Sequence, residues 1–143
     1  MKVKDIMTQD PIFCTPQTGL QAVAHMMCDA DCGEIPIVES PTNPKPVGVI
    51  TDRDITCRAV AEGKNPLQLK AQDCMSSPVI TVTPETELEE CCQLIEQRRI
   101  RRVLVVDEDG RCCGIVSQAD IARRCPPNLA SEVVKEVSQP AAA

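Results

Sequence analysis

The stretch GVITDRDI, Gly48–Ile55, sets a glycine, an apolar run, a hydroxyl and then acids at what reads as the start of a helix. Sixty-six residues later the chain reads GIVSQADI, Gly114–Ile121, with glycine, hydroxyl, aspartate and isoleucine in the same order. One copy is an ordinary helix start. Two copies define a repeat, and the repeat decides the fold.

Working outward, a shift of 68 residues lays VKDIM (Val3–Met7) on AQDCM (Ala71–Met75) and Thr15–Pro16 on Thr83–Pro84. It lays Leu20, Val23, Ala24 and Met27 on Leu88, Cys91, Cys92 and Ile95, and CGEIPIV (Cys32–Val38) on IRRVLVV (Ile100–Val106). The shift falls to 66 at the glycines, so the first copy holds two extra residues in ESPTNPKP, read here as a proline-rich loop. Each copy reads as strand, helix, strand, strand, helix. The i, i+3, i+4, i+7 apolar spacing marks the long helices. TGLQ (Thr18–Gln21) and TELE (Thr86–Glu89) predict capping boxes at their starts. The expected class is mixed α/β, with tandem β-α-β-β-α units at residues 1–66 and 67–125 and a C-terminal helix and tail at 126–143. SEVVKEV predicts a short helix, and SQPAAA a frayed end.

Composition narrows the function. At 143 residues with 43% hydrophobic content the chain can bury a core unaided. The net charge of −6 and a single aromatic residue, Phe13, argue against nucleic-acid binding, which needs a basic face and stacking platforms. No apolar run approaches a membrane span, and MKVKDIMTQD has no signal-peptide core, so a cytoplasmic protein is expected. The ten cysteines fall mostly where the other copy has aliphatic residues: Cys32 on Ile100, Cys74 on Ile6, Cys91 on Val23, Cys113 on Val47. Cysteine as a small core hydrophobe is therefore preferred to a disulfide framework. A zinc site at His25, Cys28 and Cys32 lacks an evident fourth ligand, and no metal site is assigned.

Thr51–Asp54 and Ser117–Asp120 both match the capping box. A cap alone does not demand the glycine three residues earlier in each copy. The alternative is a ligand site, where a strand end meets free N–H groups, an aspartate accepts ribose hydroxyls and a Thr or Ser hydroxyl reaches a phosphate or sugar oxygen. No catalytic constellation appears beside the lone His25, and no P-loop or Rossmann glycine pattern occurs, so an enzyme is not expected.

On these residues (Met7 and Met75, the two Thr-Pro pairs, EIPIV, RRVLVV and the duplicated Gly–Thr/Ser–Asp pattern) the chain resembles a tandem pair of cystathionine-β-synthase-type (CBS) domains, a Bateman module. The resemblance spans residues 1–124, and the tail is similar to that of small stand-alone bacterial pairs of the hypoxia-response type. It implies units packed through their sheets with two clefts, a homodimer, and a regulatory role in which an adenosine compound (AMP, ADP, ATP, S-adenosylmethionine or NAD) shifts an arrangement that a protein partner reads. No obligatory cofactor is implied. Carried over, Asp54 and Asp120 bind ribose, Thr51 and Ser117 bind phosphate or ribose, and Thr15 and Thr83 flank adenine with the backbone near Ile35 and Val103. Arg101 and Arg102 are the phosphate candidates, Arg53 is a further ligand-binding candidate, and Arg98 and Arg99 read as a solvated face. The first copy has acidic DADCGE where the second has RRIRRV, Ala119 stands opposite Arg53, and Leu104 replaces the proline seen at Pro36, so unequal clefts are expected. Two other readings remain: a redox sensor using Cys28 or Cys125, and a structural dimer with degenerate clefts.

Overall fold

The computed structural model describes residues 1–77 and 79–139. In chain order they form β1 (Thr8–Gln9), α1 (Leu20–Ala30), β2 (Glu34–Ser40), β3 (Asn43–Thr51) and α2 (Asp52–Ile55), which widens into a π turn over Thr56–Val60. There follow α3 (Ala71–Cys74), β4 (Thr81–Val82), α4 (Leu88–Arg98), β5 (Arg102–Val106), β6 (Cys112–Ser117), α5 (Gln118–Arg124) and α6 (Pro127–Val137). The class is mixed α/β with two sheets, one ordered β1-β6-β5-β4 and the other the β2–β3 hairpin. The expected frayed end, SQPAAA, falls largely outside the described residues.

Two compact units emerge, and they cut across the repeat. Among the described residues, one holds 1–11 with 80–109 and 113–139; the other holds 12–77 and 79 with 110–112. We call them the second-repeat and first-repeat units. The lead-in of each copy is thus exchanged. Val3 N–H donates to Thr86 O and Lys4 N–H to Pro84 O, while Ala71 N–H donates to Thr18 O and Gln72 N–H to Pro16 O.

This exchange changes how the long helices begin. The expected capping boxes at Thr18 and Thr86 do not form: the caps are Gly19 and Glu87, without side-chain bonds. Leu20 N–H donates to Leu69 O and Leu88 N–H to Met1 O, so the exchanged segment supplies the missing acceptor. The threonines instead pin the Thr-Pro turn, Thr18 Oγ1 accepting from Thr15 N at 3.0 Å and Thr86 Oγ1 from Thr83 N at 3.0 Å.

Two further expectations shift. The first strand of the first copy shrinks to one parallel bridge, Cys14 with Ile37, whereas β4 pairs with β5 over two residues. ESPTNPKP is not an open loop. β2 and β3 run through most of it, and register shifts after Ile37 and Val38 absorb the extra residues as bulges.

Each unit has its own core. In the second-repeat unit Leu88, Cys91, Cys92 and Ile95 of α4 are buried with Val103, Val105, Val116 and Ile121. Helix α6 packs on α4 and α5, adding Ala130, Val133 and Val137. In the first-repeat unit Leu20, Val23, Ile35, Ile37, Ile50 and Cys74 are buried. Each fully buried aliphatic side chain contributes about 1.5–3 kcal/mol. Cys74 and Cys91 occupy the core as read from the repeat, and Cys32 and Cys113 are partly buried against it. All ten cysteines are free thiols.

Candidate functional site

Each unit builds the same helix start. The β2–β3 register sets Glu34 opposite Thr51, and Asp52 N–H donates to Gly33 O. In the second-repeat unit Gln118 N–H donates to Arg101 O, the equivalent bond. The hydroxyl and the acid then cap each other. Thr51 N–H donates to Asp54 Oδ2 at 3.0 Å and Asp54 N–H to Thr51 Oγ1 at 3.0 Å. Ser117 N–H donates to Asp120 Oδ2 at 2.9 Å and Asp120 N–H to Ser117 Oγ at 3.1 Å. The capping box is real in both copies.

The two carboxylates differ in what remains open. Asp120 also accepts Ser117 Oγ–H on Oδ2 at 2.9 Å, and its Oδ1 accepts Arg123 Nη2 at 3.0 Å. It is 4% exposed and engaged on both oxygens. At Asp54 the nearest cation is Arg58, whose Nη2 stands 3.8 Å from Oδ1. Arg58 is turned elsewhere: its Nη1 donates to Cys74 O and to Met75 O, each at 2.9 Å. Among the described residues, Asp54 Oδ1 accepts no hydrogen bond. The sequence reading missed both arginines, although i+4 and i+3 spacing after each acid on a helix is the signal that finds them.

The glycines have a packing reason. A Cβ at Gly48 would stand 2.9 Å from Ser76 O and 3.0 Å from Met75 Sδ; one at Gly114 would stand 2.8 Å from Met7 Sδ and 3.1 Å from Thr8 O. Here the exchanged lead-in crosses the last strand of each copy, Ser76 pairing with Val49 and Gln9 with Gly114. The Gly–Met couples of the repeat are therefore one close backbone approach made twice.

Other expected site residues divide by position. Ile35 and Val103 are buried in the cores, which leaves only main-chain atoms for recognition. Arg53 and Arg101 are exposed and Arg102 is half-buried. Arg101 and Arg102 lie beside the Ser117–Asp120 start. Thr15 and Thr83 lie at the other end of the central strand of their own unit. Cys14 N–H donates to Pro36 O and Val38 N–H to Cys14 O, whereas Thr51 pairs with Glu34. Val82 pairs with Val105, whereas Gln118 meets Arg101. The separation is about four residues, roughly 13 Å at strand rise. Thr83 lines a groove of about 370 Å3 with Thr81, Thr86, Glu90 and Gln97.

Among the described residues no group of three or more His, Cys, Asp or Glu side chains is placed to hold a metal ion. Cys28 is exposed and Cys32 is half-buried, its thiol directed at Glu34 O. Burial pushes the Cys91 thiol up to about 11 and the Cys92 thiol up to about 12, and it also raises Cys125.

Both repeats thus carry the same strand-to-helix start, closed by a reciprocal hydroxyl–carboxylate cap. The CBS domain matches residues 3–59 and again 71–126. The chain belongs to the CBS-domain family. It is 33% identical over 139 residues to an uncharacterized protein, MK0525, of Methanopyrus kandleri, covering 97% of this chain and 69% of that one. It is 31% identical over 139 residues to hypoxic response protein 1 of Mycobacterium tuberculosis, covering 97% and 95%. Among solved structures, Hypoxic Response Protein I with two coordinated zinc ions superposes with TM-score 0.78 at 30% identity, over 88% of this chain and all of that one. The CBS pair of protein MJ0100, in complex with 5′-methylthioadenosine and S-adenosyl-L-methionine, superposes with TM-score 0.75 at 29% identity, over 86% and 98%. Among the described residues, no helix is long and apolar enough to cross a membrane.

Proposed function

We propose that this chain is a non-catalytic sensor of an adenosine-type ligand and that Asp54 is its principal ribose acceptor. The observation that carries this is the half-engaged carboxylate of Asp54. One oxygen is fixed by Thr51 N–H and the other accepts no bond among the described residues, so a cis-diol can be received without breaking an internal one. The adenosine ligands of the MJ0100 pair support the ligand class. Ten free thiols support a reducing, cytoplasmic setting for it. We assign a second copy of the chain as its partner, on the large apolar residues left open in the first-repeat unit, Ile12 at 45%, Val60 at 59% and Leu67 at 67% exposure.

A thiol sensor at Cys125 is the weaker reading. Its sequence neighbour Arg123 is spent on Asp120, and burial raises the thiol instead of favouring the thiolate.

Calorimetric titration in reductant with AMP, ADP, ATP, S-adenosylmethionine and NADH tests the proposal. Asp54→Ala is expected to abolish the tighter binding while Asp120→Ala retains it. Loss in Asp120→Ala alone would reverse the assignment, and silence towards all five compounds would reject it.

A further inference from the structure

The contact that closes the outer oxygen of Asp120, and is missing at Asp54, comes from an exposed arginine. Arg123 is 69% exposed along its side chain, yet its Nη2 holds Asp120 Oδ1 at 3.0 Å. That oxygen is the one a ribose hydroxyl would need, because Oδ2 is already committed to Ser117 N–H and Oγ–H. Arg58, its nearest analogue, cannot play this part: two main-chain carbonyls hold it 3.8 Å from Asp54. We infer that Arg123 is a positioning residue that makes the Asp120 site discriminate by ligand charge. The argument rests on the nucleotide reading above.

The physical basis is an exchange of partners. A neutral nucleoside must break the Arg123–Asp120 pair and gives the guanidinium nothing in return. A phosphorylated ligand gives it an anion, and guanidinium–phosphate pairing is at least as favourable as the pair it replaces. Arg101 and Arg102, at the start of the neighbouring strand β5, add positive charge around that ligand. The first-repeat unit has no such exchange, so Asp54 takes neutral and charged adenosine compounds with smaller discrimination.

The experiment titrates adenosine and AMP into the full chain carrying Asp54→Ala, so that only Asp120 reports. Arg123→Ala is then added to this background, and Arg123→Lys in parallel. Arg123→Ala is expected to raise adenosine affinity about two- to fivefold, the range of an exposed ion pair, without raising that of AMP. Arg123→Lys should restore the preference for AMP. Equal changes for both ligands, or none, would overturn the exchange while leaving nucleotide binding intact. So would AMP binding to the wild type with no binding to any of the three Asp54→Ala forms. If neither ligand binds the wild type or any variant, the nucleotide reading falls and this inference with it.

Discussion

The second-repeat and first-repeat units share a helix start with the same hydroxyl-to-acid spacing, and they use it differently. Asp120 is closed by Arg123 at i+3; Asp54 is left half open because Arg58, at i+4 and within a π turn, reaches back to the carbonyls of Cys74 and Met75. A third helix, α6, covers α4 and α5, whereas Val60 stays exposed after α2. Repetition of a motif therefore conserves the local fold of the backbone and not the availability of its side chains. One residue of spacing decides whether an arginine closes a carboxylate or braces a neighbouring turn.

The comparison breaks most visibly in the cores. Ile95→Ala removes a side chain with 0% exposure, and its counterpart Met27→Ala removes one that is 8% exposed at the margin of its core. Such truncations cost ~2–5 kcal/mol. Ile95→Ala is expected near the top of that range and Met27→Ala near the bottom, as read by urea unfolding. Equal losses would mean that the two positions are packed alike despite their difference in exposure.

The crossing points give a smaller, sharper contrast. Gly48→Ala places a methyl against a main-chain oxygen, Ser76 O, which cannot move alone. Gly114→Ala meets Met7 Sδ first, and that flexible side chain can turn aside. Overpacking costs about 1–3 kcal/mol, with Gly48→Ala the more damaging. A thermal melt showing the reverse order would place the rigid contact at Met7.

The smallest effect lies in the lead-ins. Lys2 and Lys4 bind Glu85 at 2.7 and 2.8 Å, while in the equivalent place Lys70 donates to the neutral Gln17 at 2.8 Å. Hydrogen bonds from the two lysines, and then their charge, hold the Glu85 carboxyl down to about 2. Its folded value lies below the unfolded one, so its contribution is present above the ordinary carboxylate range and fades as pH falls from about 4.5 towards 2. Protection of the Val3 and Lys4 amides against hydrogen exchange, taken relative to the intrinsic rate at each pH, should fall over that window more than at Ala71 and Gln72. The pairs are exposed, so added salt should produce a similar small loosening at neutral pH. Identical behaviour of the two lead-ins would remove the ionic distinction.

Much of this was readable in the chain. Periodicity located the helices and strands, since Leu88, Cys91, Cys92 and Ile95 can share one face only in a helix. The repeat identified cysteine as a core hydrophobe, and the hydroxyl-to-acid spacing marked both helix starts. The exchange of lead-ins was not readable, because Val3–Met7 and Ala71–Met75 match and no local signal says which copy each segment joins. The glycines looked like a ligand signature and serve that exchange. The helix caps expected of Thr18 and Thr86 gave way to carbonyls of Leu69 and Met1 that lie far off in sequence. The sequence by itself determined which elements form and where acids and hydroxyls recur, because those follow from side-chain spacing along one element. Tertiary structure alone decided which carboxylate is open, because that depends on where a long, many-jointed arginine finds its nearest acceptor.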